Sequence, residues 1–287
     1  METPQPSWVC PSCGSAATTP YCGACGEQRN VAVASIPGDG TATGTRRSFV
    51  SRMRASLRTL ASPPGRLTAD WIRGTRVGYL APLSLFLWTN VAFFVVQSAS
   101  GVTVLSWPLR IHLSDDSIAW ITTRLFAQHR PQVAASNDAY DQIFNTLETV
   151  HAKSLVIVMV PLFAIALSAL LLDRRESFRD SLAFSMHFFA FALIWLCALF
   201  PSLAVVLHFM QFITPSGARA PWLHSMDLVV SSIEAAVLGW YLYAALKTVF
   251  GLSRPRRLLT TIALVAALFV ILKAYHVVVF AATLYST

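Results

Sequence analysis

A chain of 287 residues that is 55% hydrophobic and 13% charged, with a mean hydropathy of +0.55, cannot clothe a soluble surface, which takes about a quarter of residues charged. Those proportions also exclude disordered, collagenous and coiled-coil classes, and five cysteines are too few for a disulfide-stapled secreted scaffold. The net charge of +8 is what a multi-pass membrane protein acquires by keeping Lys and Arg on its cytoplasmic side, so it does not by itself imply nucleic acid.

The predicted class is an all-α multi-pass membrane protein of about five transmembrane helices with a small N-terminal zinc ribbon. The ribbon occupies 1–30, where Cys10-Pro-Ser-Cys13-Gly14 and Cys22-Gly-Ala-Cys25-Gly26 form two C-x2-C pairs, each followed by glycine. Two such knuckles point backbone N–H groups at thiolates while four sulfurs close a tetrahedral shell, which suits structural Zn2+ with no open position. A start that is polar and rich in Cys, Pro and Gly is no signal peptide, so the amino end is expected in the cytoplasm, where thiols stay reduced and metal is favoured over disulfides. Arg29 is the only basic residue before position 46, which argues against nucleic acid as the ribbon's partner. Cys197, inside a span, reads as a small apolar side chain.

Residues 31–45 are Ala, Gly, Thr, Ser and Pro, a flexible linker, and their glycines lack the strand and the Lys-Ser or Lys-Thr pair of a phosphate loop. Segment 46–76 is basic and juxtamembrane. Phe49, Met53, Leu57 and Leu60 share one helical face, with Arg46, Arg47, Arg52, Arg54 and Arg58 around the rest. Such a helix lies on the bilayer with arginines on anionic headgroups, or packs on the protein's own loops. Pro63-Pro64-Gly65 ends it.

The bundle, 77–287, contains five apolar runs near 77–97, 154–172, 181–207, 226–250 and 259–283. The third stays apolar to Ile213, and Pro201 is where it is expected to bend or stop. Between the first two runs, 98–150 is too polar to span. Helical spacing of Ile118, Ile121 and Leu125, then of Ile143 and Leu147, predicts two outer helices broken near Pro131, the second capped by Asn137 and running into span two. Asp115 and Asp116 point apart on a helix, so capping suits them better than a paired-carboxylate site.

Nine arginines before position 77, with Arg174, Arg175 and Arg179 in one loop and Arg254, Arg256 and Arg257 in another, place those segments inside. The opposite loops hold only Arg110, Arg124, Arg130 and Arg219. The expected location is a bacterial inner membrane, N-terminus cytoplasmic and C-terminus periplasmic.

Pro64-Gly65-Arg66-Leu67-Thr68 and Gly74-Thr75-Arg76-Val77-Gly78-Tyr79-Leu80-Ala81-Pro82-Leu83, leading into a span, resemble a bacterial family, domain of unknown function 3667. Pro161-Leu162-Phe163-Ala164, the run from Phe184 to Phe191 with Met186-His187 at its centre, and Tyr241 through Val249-Phe250-Gly251 extend the resemblance. It implies a zinc ribbon joined to several spans and no particular activity.

Glu234 in span four and Lys273 in span five each cost about 2.5–3.5 kcal/mol at mid-membrane, so they should face the interior. Counted from the outer ends they sit at similar depth, which predicts a Glu234–Lys273 ion pair. His187 in span three and His276, one turn from Lys273, complete a candidate intramembrane polar site. No nucleophile elbow, zinc-protease helix or phosphate loop supports an enzyme. The expected role is therefore a membrane protein whose ribbon serves as a docking, assembly or sensing module for a protein partner. The alternative is an ion- or proton-coupled transporter or channel using Glu234, Lys273 and His276.

Overall fold

The computed structural model describes residues 7–10, 12–27, 48–100, 105–130, 138–174, 177–213 and 222–287, with side chains left undescribed at 200, 204, 206–213 and 222–228. The 31–45 linker, Arg46, Arg47, the Pro131 break and the Asn137 cap lie outside these residues. The chain opens with β1 (Trp8–Val9) and β2 (Ala16–Ala17), paired antiparallel with Trp8 opposite Ala17. Helices follow as α1 (Phe49–Ala61), α2 (Arg66–Arg73), α3 (Pro82–Ser100), α4 (Leu109–Ser114), α5 (Ala119–His129) and α6 (Asp138–Leu155). Then come α7 (Met159–Leu170), α8 (Phe178–Ile213), α9 (Trp222–Phe250) and α10 (Arg254–Ser286).

Among the described residues five helical stretches are long and apolar enough to cross a membrane: Pro82–Ser100, Asp138–Leu170, Phe178–Leu203, Val229–Phe250 and Arg254–Ser286. The first begins at Pro82 rather than at 77, because 75–81 are spent on a turn after Gly74, whose φ of 100° closes α2. Pro82 then sits in the first turn, where its missing N–H is no loss. The second stretch reaches back to Asp138 rather than starting near 154, with α6 passing through a 3-10 turn at Val156–Val158 into α7. α8 continues through Pro201 to Ile213 rather than stopping there, some 54 Å at about 1.5 Å per residue.

α8 is the central helix. Buried residues make up 56% of its apolar stretch, against 28% in α9 and α10. Its Phe188 and Phe189 meet Phe163 of α7, Phe184 meets Phe250 of α9, and Phe191 stacks on Tyr241 of α9 with ring centres 3.9 Å apart. Apolar burial drives little in lipid, so stacked rings and close backbone approach carry much of this packing.

Close approach is tightest at α2, a short helix that enters the bundle from one end. Its Leu67, Thr68 and Ala69 are buried against α8 and α9. Gly65, which precedes it at φ +81°, lies beside Tyr241, and a Cβ there would lie 2.8 Å from the Ala245 backbone. On α1, Met53 and Leu60 pack with Leu67, Leu80, Leu85 and Ala190, whereas Phe49, Val50 and Leu57 stay exposed and Phe49 lies against Trp88 of α3. The expected apolar face is thus split between the protein's own core and the outside.

The same end of the bundle gathers the arginine-bearing segments. Arg174 donates to the Phe250 carbonyl (2.8 Å), Arg256 pairs with Asp173, and Arg52 donates to the Tyr79 carbonyl. The opposite end holds α4, α5, the start of α6 and the end of α10, where Tyr140 bonds Thr287.

Candidate metal centre and buried polar cluster

Each cysteine pair folds into the same loop. The Cys10 N–H donates to the Ser15 carbonyl (2.9 Å) and the Gly14 N–H returns to the Cys10 carbonyl (2.8 Å). Cys22 with the Glu27 carbonyl and Gly26 with the Cys22 carbonyl repeat the pattern, both bonds 2.8 Å. Gly14 and Gly26 adopt φ of 75° and 77°, a conformation that favours glycine. The two loops face each other, and all four Sγ atoms lie within 4.8 Å of one another, Cys10 to Cys25 and Cys13 to Cys22 at 3.5 Å. Sulfurs on a tetrahedral ion with bonds of about 2.3 Å stand about 3.8 Å apart, so the donor set fits a metal ion, which Cys10, Cys13, Cys22 and Cys25 would hold.

As free thiols Cys10, Cys13 and Cys25 differ. Burial pushes Cys25 up to about 12 and Cys10 up as well, while the Ser15 hydroxyl and backbone N–H pull Cys13 down to about 6. Metal has to displace protons from Cys10 and Cys25, so affinity falls with acidification.

Glu27 ties the ribbon to the loop that leads into the first span. This residue is 3% exposed, and its carboxylate accepts the Ser12 hydroxyl and the backbone N–H groups of Arg76 (3.0 Å) and Val77 (3.1 Å). Ribbon and membrane domain therefore share one buried, charge-assisted contact, beside a cleft of about 250 Å³ lined by Cys13, Cys25, Thr59, Thr75 and Tyr79. A glutamate after the last cysteine looks in sequence like surface charge, and nothing local distinguishes it.

The Glu234–Lys273 ion pair is not formed. Gly239 meets Val265, which sets Glu234 level with Val270, one turn short of Lys273. Lys273 turns instead to the segment around α4 and α5, where its Nζ lies 2.7 Å from Asp115 and 4.6 Å above the Trp107 ring. The depth count was sound to within a turn, but the helix face was not legible from it. Glu234 is half-buried and takes no ion pair among the described residues.

Asp115 also accepts the Ser117 N–H, a local turn at the start of α5. Burial pushes its carboxyl up, but the hydrogen bonds from Lys273 and Ser117 outweigh this and hold it below the usual carboxylate range. A depressed folded value means the pair stabilises fully above the ordinary carboxylate pKa of about 3.9 and loses that contribution as pH falls through the lower folded one. Asp115→Asn is expected to cost about 1 kcal/mol at pH 7, the upper end for a partly screened pair, or about 2 °C in Tm, with the difference vanishing in strong acid. Thermal melts in detergent at several pH values check this.

His276 does not join Glu234 either. It stacks on Trp107 at 3.8 Å, and its ring centre lies 5.9 Å from that of His112 on α4. His112 Nε2 in turn lies 3.4 Å from Glu148 of α6, a buried carboxylate that accepts the Trp107 N–H (2.8 Å). Neither His112 nor Glu148 stood out in sequence, because the outer segment reads as amphipathic helix and its polar residues as solvated. His187 is far from this cluster. It is fully buried, its Nδ1 lies 3.0 Å from the Thr68 hydroxyl, and it anchors α2 to α8. Thr68→Val should cost about 1–3 kcal/mol by leaving that nitrogen unpaired, whereas Thr68→Ser should cost little, as melts of the two variants will show.

Neither a curated protein nor a solved structure matches this chain. Residues 51–94, which build α1, α2 and most of α3, match the model of a family described as Protein of unknown function (DUF3667).

Proposed function

We propose that this chain is a binding protein of a bacterial inner membrane, with its arginine-rich end in the cytoplasm and its C-terminal end in the periplasm. Its ribbon holds structural zinc and serves as a docking and sensing module for a protein partner. The observation that carries this reading is the Glu27 contact, because a ribbon clamped to the first span's entry loop conveys its loaded state to the bundle. Val9 and Tyr21 stand exposed on the ribbon and offer a partner an apolar contact. Phe49, Val50 and Leu57 of α1, with Arg54 and Arg58 beside them, suit the bilayer surface and its anionic headgroups.

The test is co-purification from native membranes of wild type, a variant lacking 1–30, and Val9→Glu with Tyr21→Glu. The reading expects a protein held by the wild type and lost from both others, with metal content unchanged in the double variant. An identical set of proteins on all three would overturn it.

One observation favours a second reading, ion- or proton-coupled transport. Lys273 and His276 lie in one cluster with Asp115, Glu148 and His112, although Glu234 and His187 lie outside it. Ionisable groups buried at membrane depth are candidates for an ion or proton path. On this reading Lys273→Met changes flux into proteoliposomes at unchanged membrane abundance.

A further inference from the structure

The cluster at the outer end holds two carboxylates with different partners. Lys273 is taken by Asp115, while Glu148, 1% exposed, accepts the backbone N–H of Trp107 (2.8 Å) and faces Nε2 of His112 (3.4 Å). If His112 donates from Nε2 to Glu148, its Nδ1 is a lone pair. That Nδ1 is buried without a partner, and so is Nδ1 of His276. The two rings stand 66° apart in orientation with centres 5.9 Å apart, enclosed by Trp107, Phe144 and Phe280.

We propose that His112 and His276 bind one divalent transition-metal ion through their Nδ1 atoms, with Glu148 as the positioning carboxylate behind His112. Three features converge on this. Two imidazoles sharing an ion at about 2.0–2.1 Å have ring centres about 5–6 Å apart, the spacing seen here. A carboxylate on the far nitrogen of a ligating histidine sets its tautomer and raises its basicity, which is where Glu148 sits. An added proton in place of the ion would create an N–H at either Nδ1 that faces no acceptor, so a Lewis acid satisfies both rings where a proton satisfies neither. Imidazole donors select zinc, copper, nickel or cobalt over magnesium or calcium. Two protein ligands leave positions open, so this ion exchanges more readily than one closed in by four thiolates.

The experiment is elemental analysis of full-length protein in detergent after equilibration with micromolar zinc and removal of loose metal. Wild type is expected to hold two zinc ions per chain. Cys10→Ser with Cys13→Ser should hold one, His112→Ala with His276→Ala should hold one, and Glu148→Gln should weaken the second ion about 10- to 100-fold. A cobalt spectrum of the wild type gives an answer that does not depend on any variant folding. The thiolate site absorbs strongly in the near ultraviolet, and a second, weaker visible band should appear with the second equivalent and disappear first under a mild chelator. One ion per chain in the wild type, or a second ion indifferent to loss of both histidines, overturns the proposal.

Discussion

Replacing Cys22 with serine is expected to strip one metal ion from each chain and to unfold residues 7–27 as a unit. The ribbon has two strands of two residues each and almost no apolar interior, so its order is expected to come from an ion on the four cysteines. Metal binding in peptides of this kind is worth on the order of 10–16 kcal/mol, far above what two short strands supply. The loss should spread to the membrane domain's edge, because Glu27 holds its geometry only while the Cys22 N–H is bonded to the Glu27 carbonyl. Limited proteolysis should cut the serine variant within the ribbon at a protease dose that spares the wild type. Glu27→Ala separates the two effects. It keeps the metal but loses the charge-assisted bonds to Arg76 and Val77, so the ribbon stays folded yet leaves its seat.

Gly65→Ala should be the most damaging conservative change in the bundle. Two penalties add: alanine at φ +81° costs about 1–2 kcal/mol, and the new methyl would lie 2.8 Å from Ala245 Cα and 2.9 Å from its carbonyl oxygen. Both obstacles are backbone of α9, which cannot swing aside like a side chain. The variant must therefore lift α2 away from Tyr241 and with it the Thr68–His187 bond, for a total of about 3–5 kcal/mol or roughly 10 °C in Tm. Gly251→Ala supplies the control, since φ is +61° there but no atom lies within 4 Å, and it should lose only the conformational part. Equal losses in the two variants would show that the close approach of α2 is not what the glycine serves.

The parts of this architecture that were legible in sequence depend on local pattern. Five long helices follow from apolar runs of about 20 residues, and the cysteine cluster follows from two C-x2-C-G units whose glycines set the loop. What was not legible depends on which face meets which. Lys273 found Asp115 rather than Glu234 because depth along a helix does not determine azimuth. α2 reads as a polar juxtamembrane stretch with Arg66, Asp70 and Arg73, yet it inserts, because those charges line one side while Leu67, Thr68 and Ala69 line the other. Glu148 and His112 are 36 residues apart and become neighbours only when α4 folds back on α6, a tertiary event with no local signature. Glu27 is the same case across the linker.

The central claim is that a metal-closed ribbon sits on the entry to the first span. Hydrogen exchange at the backbone amides of Arg76 and Val77 in the full-length protein tests it most directly, because both donate to Glu27. The two amides should be protected in the metal-loaded protein and exchange much faster after chelation or in Glu27→Ala, while amides within α8 stay unchanged. Fast exchange at both positions with metal bound, or protection that survives chelation, would contradict the account.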